Sequence, residues 1–166
     1  MKPVELAEAI ARRLVGLVDE YVLSVSIRDS VMVKYANGEV TVTQSWRDYV
    51  VSAYLAKAGK MTASTFTTRD PEEAVLATAR LVDKLTPSPL YAPLPQPSGK
   101  PSSVVDPIVK EMSLSGDPSR LIEDFDLSRY GNVAGMANLE YNNVYLIGSN
   151  GLSGGFEVTS YSGYLR

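Results

Sequence analysis

Val33-Lys-Tyr-Ala-Asn-Gly-Glu-Val40 is the stretch that decides the fold class. Apolar and polar residues alternate on both sides of Asn37-Gly38, and Asn-Gly between two alternating runs is the signature of a two-residue hairpin. Its type I′ geometry needs positive φ at both central residues, which Asn tolerates and Gly adopts without steric cost. The period of two extends outward from there. Upstream, Tyr21, Leu23, Val25 and Ile27 share one face, while Ser24, Ser26 and Arg28 share the other. Asp29-Ser30 reads as a tight turn, after which Val31, Val33 and Tyr35 resume the alternation. Downstream, Val40, Val42, Gln44 and Trp46 form the next face. Residues 49–56 and 60–68 supply two more runs around Lys57-Ala58-Gly59. The pattern predicts an antiparallel meander of about five strands.

Helices flank the meander. Leu6, Ile10, Leu14 and Leu17 recur at helical spacing with acidic and basic residues between them, which predicts an amphipathic helix over residues 3–18. Asp70 is a natural N-cap, Pro71 fits the first helical turn, and Glu72 and Glu73 favour the positive end of the helix dipole. Residues 1–86 therefore read as one α+β sheet domain, with both helices on one sheet face.

Residues 87–101 hold six of the chain's ten prolines. Such a segment reads as an extended connector laid over the domain surface. Residues 102–166 read as a second section of helices and strands. It has a weak helix over 104–112, a capped helix opened by Asp117-Pro118, and strand-like runs over 133–141, 144–147 and 156–164. Gly148-Ser149-Asn150-Gly151 turns the chain between the last two. This section ends within an alternating run, so the expectation is that it continues into a C-terminal half.

Composition excludes more than any motif adds. The sequence contains no histidine and no cysteine, so Ser–His–Asp and Cys–His catalysis, the usual tetrahedral zinc sites and disulfides are absent from this chain. Sixteen Lys plus Arg against nineteen Asp plus Glu leave a net charge of −3, which argues against nucleic acid as a partner. No run is apolar enough to span a membrane, and Glu5 and Glu8 interrupt any signal-peptide core. The expected location is cytoplasmic. The Gly-rich segment 148–155 lacks the Lys-Ser/Thr pair of a phosphate loop. Glu123-Asp124-Phe125-Asp126 lacks the spacing of a calcium loop and reads as a solvated helix end.

Taken in order, these pieces resemble the N-terminal region of the TldD/PmbA family, first labelled modulators of DNA gyrase and regarded as metallopeptidases and their partner subunits. The resemblance rests on Glu20-Tyr-Val-Leu-Ser-Val-Ser26 after the first helix and on the hairpin Val33 to Val40. It includes Ala58-Gly-Lys-Met-Thr-Ala-Ser-Thr65, which departs at Met61-Thr62 where a glycine is usual. Asp70-Pro-Glu-Glu-Ala-Val75, Pro89-Leu-Tyr-Ala-Pro-Leu-Pro95, and Leu146-Ile-Gly-Ser-Asn-Gly-Leu152 with Thr159 complete it. The last element leans toward the PmbA-like (TldE-like) branch. In the active branch the metal, of zinc type, is held by a histidine–glutamate–x3–histidine helix and a distant cysteine, all downstream of the region matched. No residue of this chain matches them, so no catalytic, cofactor or metal residue is assigned. The resemblance implies a non-catalytic module of a metallopeptidase assembly, with peptide or partner contact at Ser149, Asn150, Gly151 and Thr159. The implied partners are a family subunit, in a homo- or hetero-oligomer, and an unfolded peptide. The alternative is a stand-alone small-molecule- or protein-binding α+β domain unrelated to proteolysis.

The missing soft ligands generate a direct expectation. Elemental analysis of the dialysed protein should find well under one zinc or iron per chain, because only oxygen donors are available to compete for the ion. A near-stoichiometric transition metal surviving dialysis contradicts it.

Overall fold

Asn37 and Gly38 carry φ of 55° and 78°, and the turn they make joins β1 (Glu20–Ala36) to β2 (Glu39–Lys57). The computed structural model describes residues 2–68, 70–124 and 132–166. A second tight turn, with φ of 50° at Ala58 and 74° at Gly59, joins β2 to β3 (Lys60–Thr67), whose antiparallel register runs from Lys57↔Lys60 to Val50↔Thr67. Strands β4 (Gly135–Gly148) and β5 (Ser153–Leu165) complete a five-stranded sheet in the order β3-β2-β1-β4-β5. Ser149 N–H donates to Tyr21 C=O at 3.0 Å at one end of β1, and Gly38 N–H to Val133 C=O at 3.3 Å at the other. Strand β4 is thus antiparallel to β1, and the architecture is α+β with an antiparallel sheet.

The strands are distributed differently from expectation. Asp29-Ser30 does not turn the chain, because β1 runs straight through it. Asp29 is buried and its carboxylate accepts from Arg47 Nε at 2.6 Å. A carboxylate inside a strand is tolerated where a guanidinium meets it, and nothing in the local sequence pairs residues 18 positions apart. Residues 20–67 therefore supply three strands, two of them long, and the last section supplies the other two.

The chain divides into two compact units. The first comprises Met1–Ile27, Asp48–Ser102 and Asn143–Phe156. Here α1 (Pro3–Leu14) and α2 (Pro71–Leu81) pack on one sheet face. Leu6, Ile10 and Leu14 meet Leu23, Val25, Val51 and Leu55, joined by Val75, Leu76 and Ala79 from α2. Burying each large side chain contributes about 1.5–3 kcal/mol. Helix α1 stops four residues short of the expected end: Val15 turns extended and Gly16 takes φ 81°. The Leu14 carbonyl then accepts from Leu17 and Val18 N–H at 2.9 and 3.3 Å. Leu17 and Val18 still reach the core, which is why the apolar spacing outlasts the helix. Asp70 caps α2, accepting from Glu73 N–H at 3.3 Å.

The second unit comprises Arg28–Arg47, Ser103–Asn142 and Glu157–Arg166. Its core joins Val33, Tyr35, Ala137 and Leu139 to Met112 of α3 (Pro107–Ser115) and Leu121 of α4 (Ser119–Asp124). Helix α3 begins three residues later than the expected 104. Asp106 caps it by accepting from Ile108 and Val109 N–H at 2.8 and 3.0 Å, and Val104 instead makes a parallel bridge with Val158. Gly116 ends the helix with φ 71°. Of the acidic segment 123–126, Phe125 and Asp126 lie outside the described residues, as does Tyr130.

The central hairpin can be tested through its turn. Gly38→Val forces a β-branched residue into positive φ and should destabilise the protein by about 1 kcal/mol or more. Urea unfolding reads the change, and a midpoint equal to wild type contradicts it.

Candidate functional site

Ser149, Asn150 and Gly151 occupy the turn between β4 and β5 in the first unit, where Gly151 takes φ 90°. The turn is tied to β1 in both directions: Ser149 N–H donates to Tyr21 C=O, and Tyr21 N–H donates to Ser149 Oγ at 3.0 Å. Asn150 Nδ2 donates to Pro95 C=O at 2.6 Å, and its Oδ1 accepts from Leu152 N–H at 3.3 Å. Through Asn150 the turn grips the proline-rich connector. Glu20 holds the same connector, its carboxylate accepting from Tyr91 OH at 3.0 Å and from Leu94 N–H at 3.1 Å. Prolines donate no backbone hydrogen bond, so such a segment is fixed through its carbonyls and through the few non-proline residues between.

Thr159 lies apart from that turn, in the second unit. Its Oγ1 accepts from Asp106 N–H at 2.8 Å and its N–H donates to Val104 C=O at 3.1 Å. Ser103 Oγ accepts from Glu157 N–H at 2.9 Å, and Val104 N–H donates to Glu157 C=O at 2.9 Å. Segment 103–106 thereby covers part of the β5 edge, a place where unpaired strand backbone otherwise invites another chain. The four residues named from sequence thus fall in two groups, three in one turn and one on a strand; Asn150 of the turn binds the connector at Pro95, whereas Thr159 binds Val104 and Asp106 beyond it.

Lys110, Tyr141 and Glu157 form a polar cluster that the sequence reading did not bring together. Glu157 accepts from Tyr141 OH and from Lys110 Nζ, both at 2.6 Å, and the ammonium stands 4.7 Å from the Tyr141 ring centroid. Glu157 was visible as one of the few charges near the end of the chain, but its partner on α3 is 47 positions away.

A second feature of the first unit is the sheet face opposite its helices. Val22, Ser24, Ser52, Tyr54, Ala63 and Thr65 line a trough of about 360 Å³ there. Ser52 and Thr65 hydroxyls bond at 2.8 Å, and Tyr54 OH donates to Met61 Sδ at 3.8 Å. Small hydroxyls and apolar groups suit neutral backbone or side chains. They provide no paired acid and base for bond cleavage.

Among the described residues no cluster of acidic side chains could hold a metal ion, and the chain has no imidazole or thiolate to offer one. The donor set therefore does not fit a zinc-type ion. No helix of the described residues is long and apolar enough to cross a membrane.

No protein-family profile and no curated protein matches the sequence. The fold does match solved structures. Over 97% of its length the chain superposes on TldE from Thermococcus kodakarensis, with TM-score 0.76, 17% identity and 38% of that chain covered. A candidate modulator of DNA gyrase from Bacteroides thetaiotaomicron gives TM-score 0.75 at 14% identity, covering 97% of this chain and 40% of that one. Another from Thermotoga maritima gives 0.63 at 14% identity, covering 96% and 38%. The chain has the fold of part of these proteins and spans about two fifths of their length.

The Glu157 cluster yields a pH dependence. Lys110 first, then Tyr141, hold the Glu157 carboxyl below its usual range, while burial and then Glu157 push the Tyr141 phenol up. A depressed folded-state carboxyl contributes stability that is present above the unfolded value, about 4.3, and is lost as pH falls through the lower folded value. Glu157→Gln should therefore be less stable than wild type at pH 7, with the gap narrowing below about pH 4. Urea midpoints at pH 7 and pH 3 measure it, and a gap that stays constant argues against the linkage.

Proposed function

We propose that this chain is a non-catalytic module of a TldD/PmbA-type metallopeptidase assembly, closest in kind to the TldE-like branch. It contributes wall and subunit contacts around a cavity that takes an extended peptide. The observation that carries the reading is the extent of the fold match. Nearly the whole chain corresponds to about two fifths of TldE and of the two candidate gyrase modulators. The order of sequence motifs, from the Asn37-Gly38 hairpin to the Ser149-Asn150-Gly151 turn, supports the same family independently. On this reading residues 1–86, the connector 87–101 and residues 102–166 form one part of a longer architecture that continues into a C-terminal half, and the assembly works in the cytoplasm.

The division of labour follows from the side chains. The chain lacks the ligands of a zinc-type ion, so metal chemistry belongs to other parts of the assembly. What this region offers a peptide is neutral: the hydroxyl-lined trough of Ser24, Ser52 and Thr65, and strand edges whose backbone groups pair with little demand on sequence. Ser149, Asn150, Gly151 and Thr159 form the proposed contact points for a peptide or partner subunit, and Asn150 also holds the connector at Pro95.

The reading is tested in two measurements. Incubated alone with a fluorogenic unfolded peptide and added zinc, the chain should give no cleavage above background; metal-dependent, chelator-sensitive turnover overturns the non-catalytic assignment. In sedimentation velocity over a wide concentration range the chain should associate. A strictly monomeric species throughout removes the subunit-contact part of the proposal.

A further inference from the structure

We propose that the cavity beside the C-terminal end of β5, within the second unit, is a binding site for a neutral, ring-sized apolar group carrying one hydrogen-bond acceptor. The inference stands on that cavity alone and does not rest on the family reading above. The cavity has a volume of about 250 Å³ and is lined by Tyr35, Met136, Ala137, Tyr161, Tyr164 and Leu165. An apolar cavity of about 150 Å³ suffices for benzene, and sites for drug-sized ligands run from about 300 Å³ upward. The space therefore fits one substituted ring. No charged side chain lines it, so an ion entering would lose its hydration without compensation.

The polar part of the specification comes from Tyr35. This residue is only 4% exposed, and its hydroxyl has no hydrogen-bond partner among the described residues. Burial, then the neighbouring Tyr161, pushes its phenol above the usual range, so at neutral pH the group is a protonated donor. A buried donor without an acceptor is costly, and a ligand that supplies an acceptor recovers that cost. Access is through the rim, where Tyr161, Tyr164 and Leu165 are about half exposed and exposed side chains change rotamer rapidly. The same chemistry could arrive as a free small molecule or as a side chain on an extended peptide.

Methyl NMR on the chain labelled at Met, Ala and Leu tests the site, with three probes: acetophenone, its isostere cumene, which lacks the acceptor, and a pentapeptide with 4-acetylphenylalanine at its centre flanked by valine and threonine. Saturable shifts at the Met136, Ala137 and Leu165 methyls are expected, with acetophenone about tenfold tighter than cumene. Tyr35→Phe keeps the ring and should abolish that preference while retaining cumene binding; its methyl dispersion reports whether it is folded. Tighter binding of the peptide than of acetophenone identifies a strand-borne group as the ligand, and weaker binding identifies a free one; both sustain the site. The proposal is overturned by no saturable shift at these methyls with any probe, or by an acetophenone preference unchanged in Tyr35→Phe.

Discussion

Strand β1 is the central strand of the five, with β2 on one edge and β4 on the other. Its pleat sends alternate residues to opposite faces. A slip of one residue would expose Leu23, Val25 and Val33 and bury Ser24 and Lys34. The Asn37-Gly38 turn pins one end of this strand, and the reciprocal bonds between Tyr21 and Ser149 pin the other. With that register held, α1 and α2 have an apolar face to cover in the first unit, and α3 and α4 have one in the second.

Polar side chains then organise what the sheet leaves loose. A proline-rich segment cannot be zipped into a sheet, because it lacks donors. Here it is carried by single contacts: Glu20 to Tyr91 and Leu94, and Asn150 to Pro95. Such contacts are individually modest, yet together they fix the path of the connector within the first unit. The proposed role of the chain as wall and contact surface fits a region in which many polar groups hold its own backbone and whose hydroxyl-lined trough carries no acid–base pair.

Hairpins, caps and cores were legible where the signal is local. The turns at Asn37-Gly38 and at Ala58-Gly59, the Asp70 cap and the apolar lines of α1 and α2 all depend on residues within a few positions of one another. Errors arose where a distant partner decides. Asp29-Ser30 has turn composition, but Arg47 makes it strand interior. Val104 has helical spacing with Ile108, but Val158 draws it into a strand bridge, and the Asp106 cap starts the helix later. The candidate site divides the same way. The Ser149-Asn150-Gly151 turn could be read from its glycines, whereas the partnership of Lys110, Tyr141 and Glu157 could not.

By itself the sequence determined the α+β class, the absence of imidazole and thiolate chemistry, the positive-φ turns and the composition of the connector, because each follows from side-chain identity or from neighbours along the chain. Tertiary structure alone decided the strand order, the five-strand sheet shared by both ends of the chain, the burial of Asp29 and the cavity beside Tyr35. Each of these is a pairing between residues far apart in sequence, and periodicity carries no information about which distant partner a face will meet.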